Sequence, residues 1–270
     1  MATTLLINIF LFALIIFTMS TLIFLYSAYK EDMSVMDIAY GPLFAIGAWS
    51  AMVITEGYYP LTLLVATLIT LWAARLGIRI WRKNHGKPED ARYAAWRQTW
   101  MRQGRQYFLM RSYLQVNLFQ GLIICIIALP FIVTLSAGDA HGTWQTAVGA
   151  LLMLFGLGYE TTADWQLDRF LARKRAGTEP ASIMTAGLFH YSRRPNYFGE
   201  VLIWVGLATM AYPLPYGEWA VLSPLLIWYI VTRVTGPMLE KIFLEKYPLD
   251  YRAYMARTNY FIPGQPKKTV

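Results

Sequence analysis

The chain has 270 residues, of which 56% are apolar, 16% are aromatic and only 15% carry a charge. Soluble domains carry charge on roughly a quarter of their residues, so this composition indicates a protein embedded in lipid. The formal net charge is +8. A basic face that lies against a bilayer has no free helix or strand to insert into a nucleic-acid groove, which argues against a nucleic-acid partner.

Seven apolar runs are long enough to cross a hydrocarbon core, which takes about 20 helical residues. Only helices and closed barrels satisfy the backbone in lipid, and these runs lack a barrel's alternation. They therefore predict an all-α polytopic integral membrane protein with seven transmembrane helices in a single domain, 1–270. The first run lacks a basic segment before it, so we expect a retained span and not a signal peptide. The runs cover residues 4–26, 35–55, 59–81, 112–135, 143–163, 197–213 and 217–236.

The basic residues predict the orientation of these runs. With the N-terminus outside, the outer connections 56–60, 136–142 and 214–218 contain no lysine or arginine. Nearly all basic residues then fall on the inner side, as the positive-inside rule requires, and the C-terminus is cytosolic. Topology and attraction to anionic headgroups are the alternatives to ligand binding for these cations.

Several ionisable residues lie deeper in the runs than orientation requires. Such groups are costly in a membrane and mark candidate functional sites. Asp37 begins the second run, and Tyr40 follows three residues later on the same helical face. Glu160 and Asp164 form an i,i+4 pair near the end of the fifth run, and Arg233 lies within the seventh. A structural ion pair is the alternative for Asp164 and Arg233.

Residues 191–200 read YSRRPNYFGE and place two arginines, an asparagine and a glutamate around one proline. Gly187 and Pro195 interrupt the helix, so Arg193 and Arg194 lie near the start of a new one, where free N–H groups favour anions. An arginine guanidinium binds phosphate oxygens through two N–H groups, and an asparagine amide both donates and accepts hydrogen bonds. A tyrosine ring stacks on other planar rings. The pattern predicts a phosphate-bearing cofactor with an aromatic end, and a polar stop-transfer flank is the alternative. The cofactor candidates here are Tyr191, Arg193, Arg194, Asn196, Tyr197 and Glu200.

The run GLFHYSRRPNYFGE resembles steroid 5α-reductase-like membrane proteins, specifically their bacterial DUF1295 branch. The motif E-x-x-x-D-x-Q precedes it, and Y-x-x-Y followed by F-I-P occurs in the tail. The resemblance implies a seven-helix bundle in the bacterial inner membrane, and we expect a monomer. NADPH would bind from the cytosol, in the half spanning about 143–265. A lipophilic substrate with a C=C bond conjugated to a carbonyl, such as a 3-oxo-4-ene steroid, would enter from the bilayer and be reduced by hydride transfer.

The same resemblance implies roles for particular residues around the cofactor. Asp164, Asn196 and Glu200 stand where the reductases line the cofactor pocket, and Arg233 lies close to a cofactor-binding arginine of the last span. Lys87 and Arg92 follow span three, where the reductases place basic residues on the cofactor phosphates.

The catalytic pair departs from the family pattern. The reductases have a glutamate at the head of span two and a tyrosine at the end of span three. Here Asp37 stands at the first place, and span three contains no tyrosine. Tyr40, one turn from Asp37, takes the second role in our prediction, and Tyr93 in the following loop is the alternative.

Two other classes of protein remain as alternatives. S-adenosylmethionine-dependent methyltransferases of the isoprenylcysteine or phospholipid type share the Arg-Pro-x-Tyr element, and a non-enzymatic lipid-binding scaffold would use the polar residues only as interhelical pairs. The many basic residues favour NADPH, which has three phosphate groups, over the single carboxylate of the methyl donor. The three histidines lack ligand spacing, so no metal site is predicted. The tail 237–262 suits helices on the inner interface or a lid over the cofactor.

Overall fold

A computed structural model describes residues 1–86 and 89–267. Over these residues all regular secondary structure is helical and no strand forms, which confirms the all-α prediction. The helices group into two compact units. Unit 1 contains Met1–Thr143 and Ala211–Ala220, and unit 2 contains Trp144–Met210 and the chain from Val221 onwards.

Unit 1 is built from long apolar helices and short connecting ones. A π-helical segment, Tyr113–Leu118, joins two of the helices into one run from Arg105 to Ile127. The first two long helices are capped by Glu31 and Glu56, which adopt left-handed backbone angles (φ 55° and 53°) and close the last turn. The helices are α1 (Ala2–Lys30), α2 (Val35–Thr55), α3 (Pro60–Asn84), α4 (Ala91–Met101), α5 (Arg105–Ser112), α6 (Phe119–Ile127) and α7 (Leu129–Ser136).

Helices α2 and α3 pack against each other in antiparallel directions. The buried rings of Phe44 and Trp72 meet edge to face, with centroids 5.2 Å apart. A Cβ added to Gly41 would lie 3.1 Å from the carbonyl oxygen of Ala73, so the backbones approach closely there. This packing brings the first turn of α2, which carries Asp37, beside the C-terminal end of α3.

Five helical segments in the described part of the chain are long and apolar enough to cross a membrane. The predicted runs 143–163 and 197–213 fall outside this set, although both are helical. The first becomes α8 (Trp144–Arg175), whose glycines, threonines and acidic residues dilute its apolar character. The second becomes α9 (Pro195–Ala211), which has only 17 residues. The five segments are Ala2–Lys30, Val35–Thr55, Pro60–Asn84, Arg105–Ile127 and Gly217–Lys246.

Unit 2 places α8 and α9 in direct backbone contact. A Cβ on Gly206 would lie 2.5 Å from the carbonyl oxygen of Gly149, and one on Gly199 would lie 2.9 Å from that of Gly156. Small residues permit such close crossings of apolar helices. Because residue 149 faces 206 and residue 156 faces 199, the two helices run antiparallel.

The C-terminal segment of unit 2 folds over the loop that precedes α9. The Tyr254 hydroxyl donates to the carbonyl of Phe189 at 2.5 Å, and the backbone N–H of Arg193 donates to the carbonyl of Asn259 at 2.8 Å. The tail therefore forms part of the wall around this loop. The remaining helices of unit 2 are α10 (Leu222–Tyr229), α11 (Gly236–Lys246) and α12 (Pro248–Arg257), with a π-helical segment, Ile230–Thr235, between α10 and α11.

Candidate functional sites

Unit 2 contains a cavity of about 510 Å³ between the end of α8, the loop before α9, α11 and α12. We call it the aromatic cavity. Its volume is in the range of typical small-molecule sites, about 300–1,000 Å³. Six aromatic side chains line it and offer stacking faces to a planar ring. They are Phe170, Phe189, Phe243, Tyr247, Tyr251 and Tyr254.

The aromatic cavity is strongly basic. No aspartate or glutamate occurs among the described residues that line it, so its field favours an anionic ligand. The side chains of Arg175 and Lys246 are exposed and lie at its open side. The basic lining residues are Lys174, Arg175, Arg193, Arg194 and Lys246.

Arg193 is held by the protein itself. Its Nε and Nη2 atoms contact Oε1 of Glu240 at 2.9 and 2.8 Å, and its Nη1 donates to the carbonyl of Thr258 at 2.8 Å. Only 9% of the side chain is exposed. These contacts tie the loop before α9 to α11 and to the residues after α12, so Arg193 stabilises the cavity wall.

Lys174 is also used structurally. Its ammonium group donates to the carbonyls of Ala181 and Ser182, each at 2.8 Å. It therefore fixes the loop that follows α8.

Arg194 differs from both. Its guanidinium carbon lies 5.8 Å from the ring centroid of Tyr197 and 5.7 Å from that of Phe243. Its Nε and Nη2 atoms are buried and make no hydrogen bond to any residue that the structure describes. These two N–H groups lie on one edge of the guanidinium, the edge that binds two oxygens of a carboxylate or phosphate. Because unsatisfied buried donors are costly, this edge predicts an oxyanion ligand.

The acidic and amide candidates for the cofactor site group elsewhere in unit 2. Glu160 packs against Gly199 at the crossing of α8 and α9. The antiparallel register then places the buried Asp164, one turn further, toward the start of α9, where Asn196 is half-buried. Glu200 accepts a hydrogen bond from the indole of Trp204, one turn ahead, at 2.9 Å. None of these side chains lines the aromatic cavity.

The remaining candidates from the sequence are dispersed. Tyr197 packs with Arg194, whereas Tyr191 is 41% exposed outside the aromatic cavity. Arg233 is exposed in the π-helical segment before α11, its guanidinium 6.0 Å from the Trp228 ring. Lys87 lies outside the described residues.

Unit 1 contains a second cluster, around the carboxylate of Asp37. The Tyr93 hydroxyl donates to Asp37 Oδ1 at 2.6 Å, and Gln120 Nε2 approaches the same oxygen at 3.4 Å. Arg92 Nη2 donates to Oδ2 at 2.8 Å. Both carboxylate oxygens are therefore bound, and we call these four residues the Asp37 cluster.

Tyr93 is placed by the start of α4. Asp90 caps that helix by accepting the backbone N–H of Arg92 at 3.0 Å, and Tyr93 follows with only 5% exposure. Burial, then the negative charge of Asp37 and the hydrogen bond to it, raise the pKa of the Tyr93 phenol well above its ordinary value. The hydroxyl is therefore a permanent proton-bearing donor near neutral pH.

A polar cavity of about 340 Å³ adjoins the Asp37 cluster. Tyr40, the catalytic partner proposed from the sequence, lines it together with Asp37, with its ring edge-on to Phe44. The direct hydrogen bond to Asp37 described above comes from Tyr93, which the sequence offered only as the alternative. The sequence signal for Tyr93 was Asp90, a residue type that caps the N-terminus of a helix and lies three positions before Tyr93.

Comparison with known proteins identifies the family. The family model described as "Protein of unknown function (DUF1295)" matches residues 23–258. A Schizosaccharomyces pombe protein described as uncharacterized is 30% identical over 226 residues, which are 74% of this chain and 63% of that protein. The chain thus covers less than two thirds of that relative, and no solved structure matches. Because the family model matches most of its length, the chain belongs to the DUF1295 family.

Proposed function

We propose that this protein is an NADPH-dependent reductase of a C=C bond conjugated to a carbonyl in a lipophilic substrate, such as a 3-oxo-4-ene steroid or a similar lipid. The observation that supports it most is the buried, unsatisfied donor edge of Arg194 in an aromatic, basic cavity. A site of this kind fits a ligand that combines a phosphate with a planar ring.

The residues present fit such a cofactor in three respects. Arg194 would bind a phosphate through two parallel N–H donors. The aromatic walls would stack on a planar ring, and Arg175 and Lys246 would add positive charge at the open side. We retain Asp164, Asn196 and Glu200 as further cofactor candidates, from the resemblance of their motif to the reductases.

The Asp37 cluster is the proposed site of carbonyl polarisation. NADPH, when bound, supplies a hydride for the β-carbon of the enone. The electron pair of the C=C bond would then move toward the carbonyl oxygen, and the α-carbon would take up a proton from water to complete the reduction. The Tyr93 hydroxyl, which its raised pKa keeps protonated, would exchange its hydrogen bond to Asp37 for one to the developing enolate oxygen. One such donor contributes about 2.7–4 kcal/mol in a dry site.

We also propose the seven-span arrangement in the membrane that the sequence predicts. Helices α8 and α9 would complete a set of seven spans, with the N-terminus outside and the C-terminus in the cytosol of a bacterial inner membrane. The basic rim of the aromatic cavity would then face the cytosol, where NADPH is available. We expect a monomer whose substrate reaches it from the lipid.

A methyltransferase is the second candidate. Arg193 and Lys174 already bind the protein, which leaves Arg194 as the basic lining residue with buried unsatisfied donors among the described residues. A single guanidinium fork is enough for the carboxylate of S-adenosylmethionine, and the aromatic walls suit its adenine.

Ligand-dependent thermal stability separates the two candidates. A ligand that binds only the folded protein adds about 2.7 kcal/mol at 100 times its Kd. We expect NADPH to raise the melting temperature of the wild type and to lose most of this effect in Arg194→Gln. Arg173→Gln is the matched control, because Arg173 is an exposed cation of the same region that pairs with Glu179 and does not line the cavity. A shift by S-adenosylmethionine alone would favour the methyltransferase, and no shift by either ligand would contradict both.

A further inference from the structure

Arg92 bridges two carboxylates at the start of α4. Its Nη2 lies 2.8 Å from Asp37 Oδ2, and its Nε lies 3.0 Å from Asp90 Oδ1. The backbone N–H of Arg92 donates to the same oxygen of Asp90 at 3.0 Å. The cap residue Asp90 therefore fixes the Arg92 guanidinium in the position from which it contacts Asp37.

The protein itself occupies one edge of the Arg92 guanidinium. Nε and Nη2 form one of the two edges through which a guanidinium can bind two oxygens of a phosphate, and in Arg92 both atoms face carboxylates of the protein. In Arg194 the same two atoms are buried without such a partner in the described chain. A phosphate at Arg92 would have to displace Asp37 or Asp90 from that edge.

The bond to Arg92 also controls which way the Asp37 carboxylate faces. With Oδ2 held by Arg92, Oδ1 is directed at the hydroxyl of Tyr93, 2.6 Å away. A carboxylate held at one oxygen only is free to turn about its Cβ–Cγ bond, whereas two opposed contacts fix the plane.

We propose that Arg92 is a positioning residue that holds Asp37 against the hydroxyl of Tyr93, and not a ligand of the cofactor phosphates. This inference rests on the proposed reductase function. The Arg92 side chain is 53% exposed, so solvent screens its charge and its effect comes mainly through geometry.

The kinetic test compares Arg92→Gln and Arg92→Lys in the full chain, with a 3-oxo-4-ene steroid as substrate. We expect Arg92→Gln to lower kcat about tenfold, the loss typical of one charged hydrogen bond, with an unchanged Kd for NADPH. Arg92→Lys should recover part of kcat, because an ammonium group still reaches a carboxylate. An increase in the NADPH Kd with an unchanged kcat would overturn the proposal.

Arg97→Gln is the matched control on the same helix. Arg97 binds both oxygens of Glu89, at 3.0 Å each, and makes no contact with Asp37 in the described structure. We expect this variant to lower the melting temperature without changing kcat. An equal loss of kcat in Arg97→Gln would show that any weakening of α4 has the same effect, and would overturn the specific role of Arg92.

A double-mutant cycle separates this inference from the reductase proposal. Melting temperatures of Arg92→Gln, Asp37→Asn and the double variant should be non-additive if the two side chains act as one unit. If the wild type neither binds NADPH nor reduces an enone, the reductase proposal fails, but the cycle still tests the Arg92–Asp37 link. Additive effects in the cycle would overturn the link itself.

Discussion

Arg193 and Arg194 are neighbours in the chain, and their guanidinium groups have opposite environments. Arg193 binds Glu240 and the carbonyl of Thr258, whereas two N–H groups of Arg194 are buried without a hydrogen bond in the described structure. Arg193 secures the tail, and Arg194 is the residue that we propose binds a ligand. Stability and ligand binding should therefore separate cleanly between adjacent positions.

Replacing Arg193 should destabilise the fold. Removing one partner of a buried ion pair costs about 3–5 kcal/mol, because the other charge stays buried and unpaired. Glu240 is 16% exposed, so some solvent reaches the pair and we expect Arg193→Ala to cost about 3 kcal/mol. Chemical unfolding measures this cost. Arg194→Ala should leave the free energy of unfolding nearly unchanged and abolish the ligand-induced shift; equal destabilisation by both variants would contradict the division.

Adding a methyl group at Gly206 should separate α8 from α9. Its Cβ would lie 2.5 Å from the carbonyl oxygen of Gly149, and backbone atoms cannot move aside cheaply. We expect Gly206→Ala to destabilise the protein by about 1–3 kcal/mol, as overpacking does elsewhere. Gly158→Ala is the control, because no atom lies within 4 Å of its added Cβ. That variant should be neutral or stabilising by about 0.5–1 kcal/mol; a loss at both glycines would rule out the crossing as the cause.

Tyr93 should make stability fall in alkali. Its pKa in the folded protein is raised above the ordinary value of about 10. A raised pKa contributes stability that is fully present below about pH 10 and is lost as pH rises through the folded value. Tyr93→Phe removes this dependence, so its unfolding free energy should decline less between pH 9 and about pH 11. Parallel curves for the two proteins would argue against a buried phenol at Asp37.

Asp37→Asn should separate chemistry from cofactor binding. The substitution keeps the shape of the side chain but weakens the bonds to Arg92 and Tyr93, which depend on its negative charge. We expect the NADPH Kd to stay constant while turnover of an enone falls about tenfold or more. Fluorescence titration gives the first quantity and NADPH oxidation the second. An equal loss of cofactor affinity would mean that Asp37 belongs to the cofactor site.

The first three helices of unit 1 could be predicted closely from the sequence, whereas the predicted run 112–135 is divided between the segment Arg105–Ile127 and α7. The apolar run 35–55 coincides with α2, because Ser34 and Glu56 bound it with polar residues. The run 143–163 captured only the first part of α8, which continues to Arg175. Hydropathy detects the part of a helix that suits lipid, and it does not show that the helix continues into a charged segment.

The pairing within the sites could not be read from spacing. Tyr93 and Asp37 are 56 positions apart, and no local rule joins them. Arg193 and Arg194 have the same chemistry and the same sequence context, so only the tertiary position of Glu240 decides which one is neutralised. Residue type thus led to a proposed kind of ligand, whereas the assignment of individual side chains required the fold.

The tail that folds over the loop before α9 has a consequence for how this protein responds to proteases. Tyr251 and Tyr254 on α12 are walls of the aromatic cavity and also anchors of the tail. Occupancy of the cavity and order of the segment around α12 are therefore thermodynamically linked, and each must favour the other to the same extent. A bound cofactor should slow cleavage at Arg252 and Arg257 by trypsin, and removing the segment after Pro248 should abolish cofactor affinity even though no phosphate-binding arginine is lost.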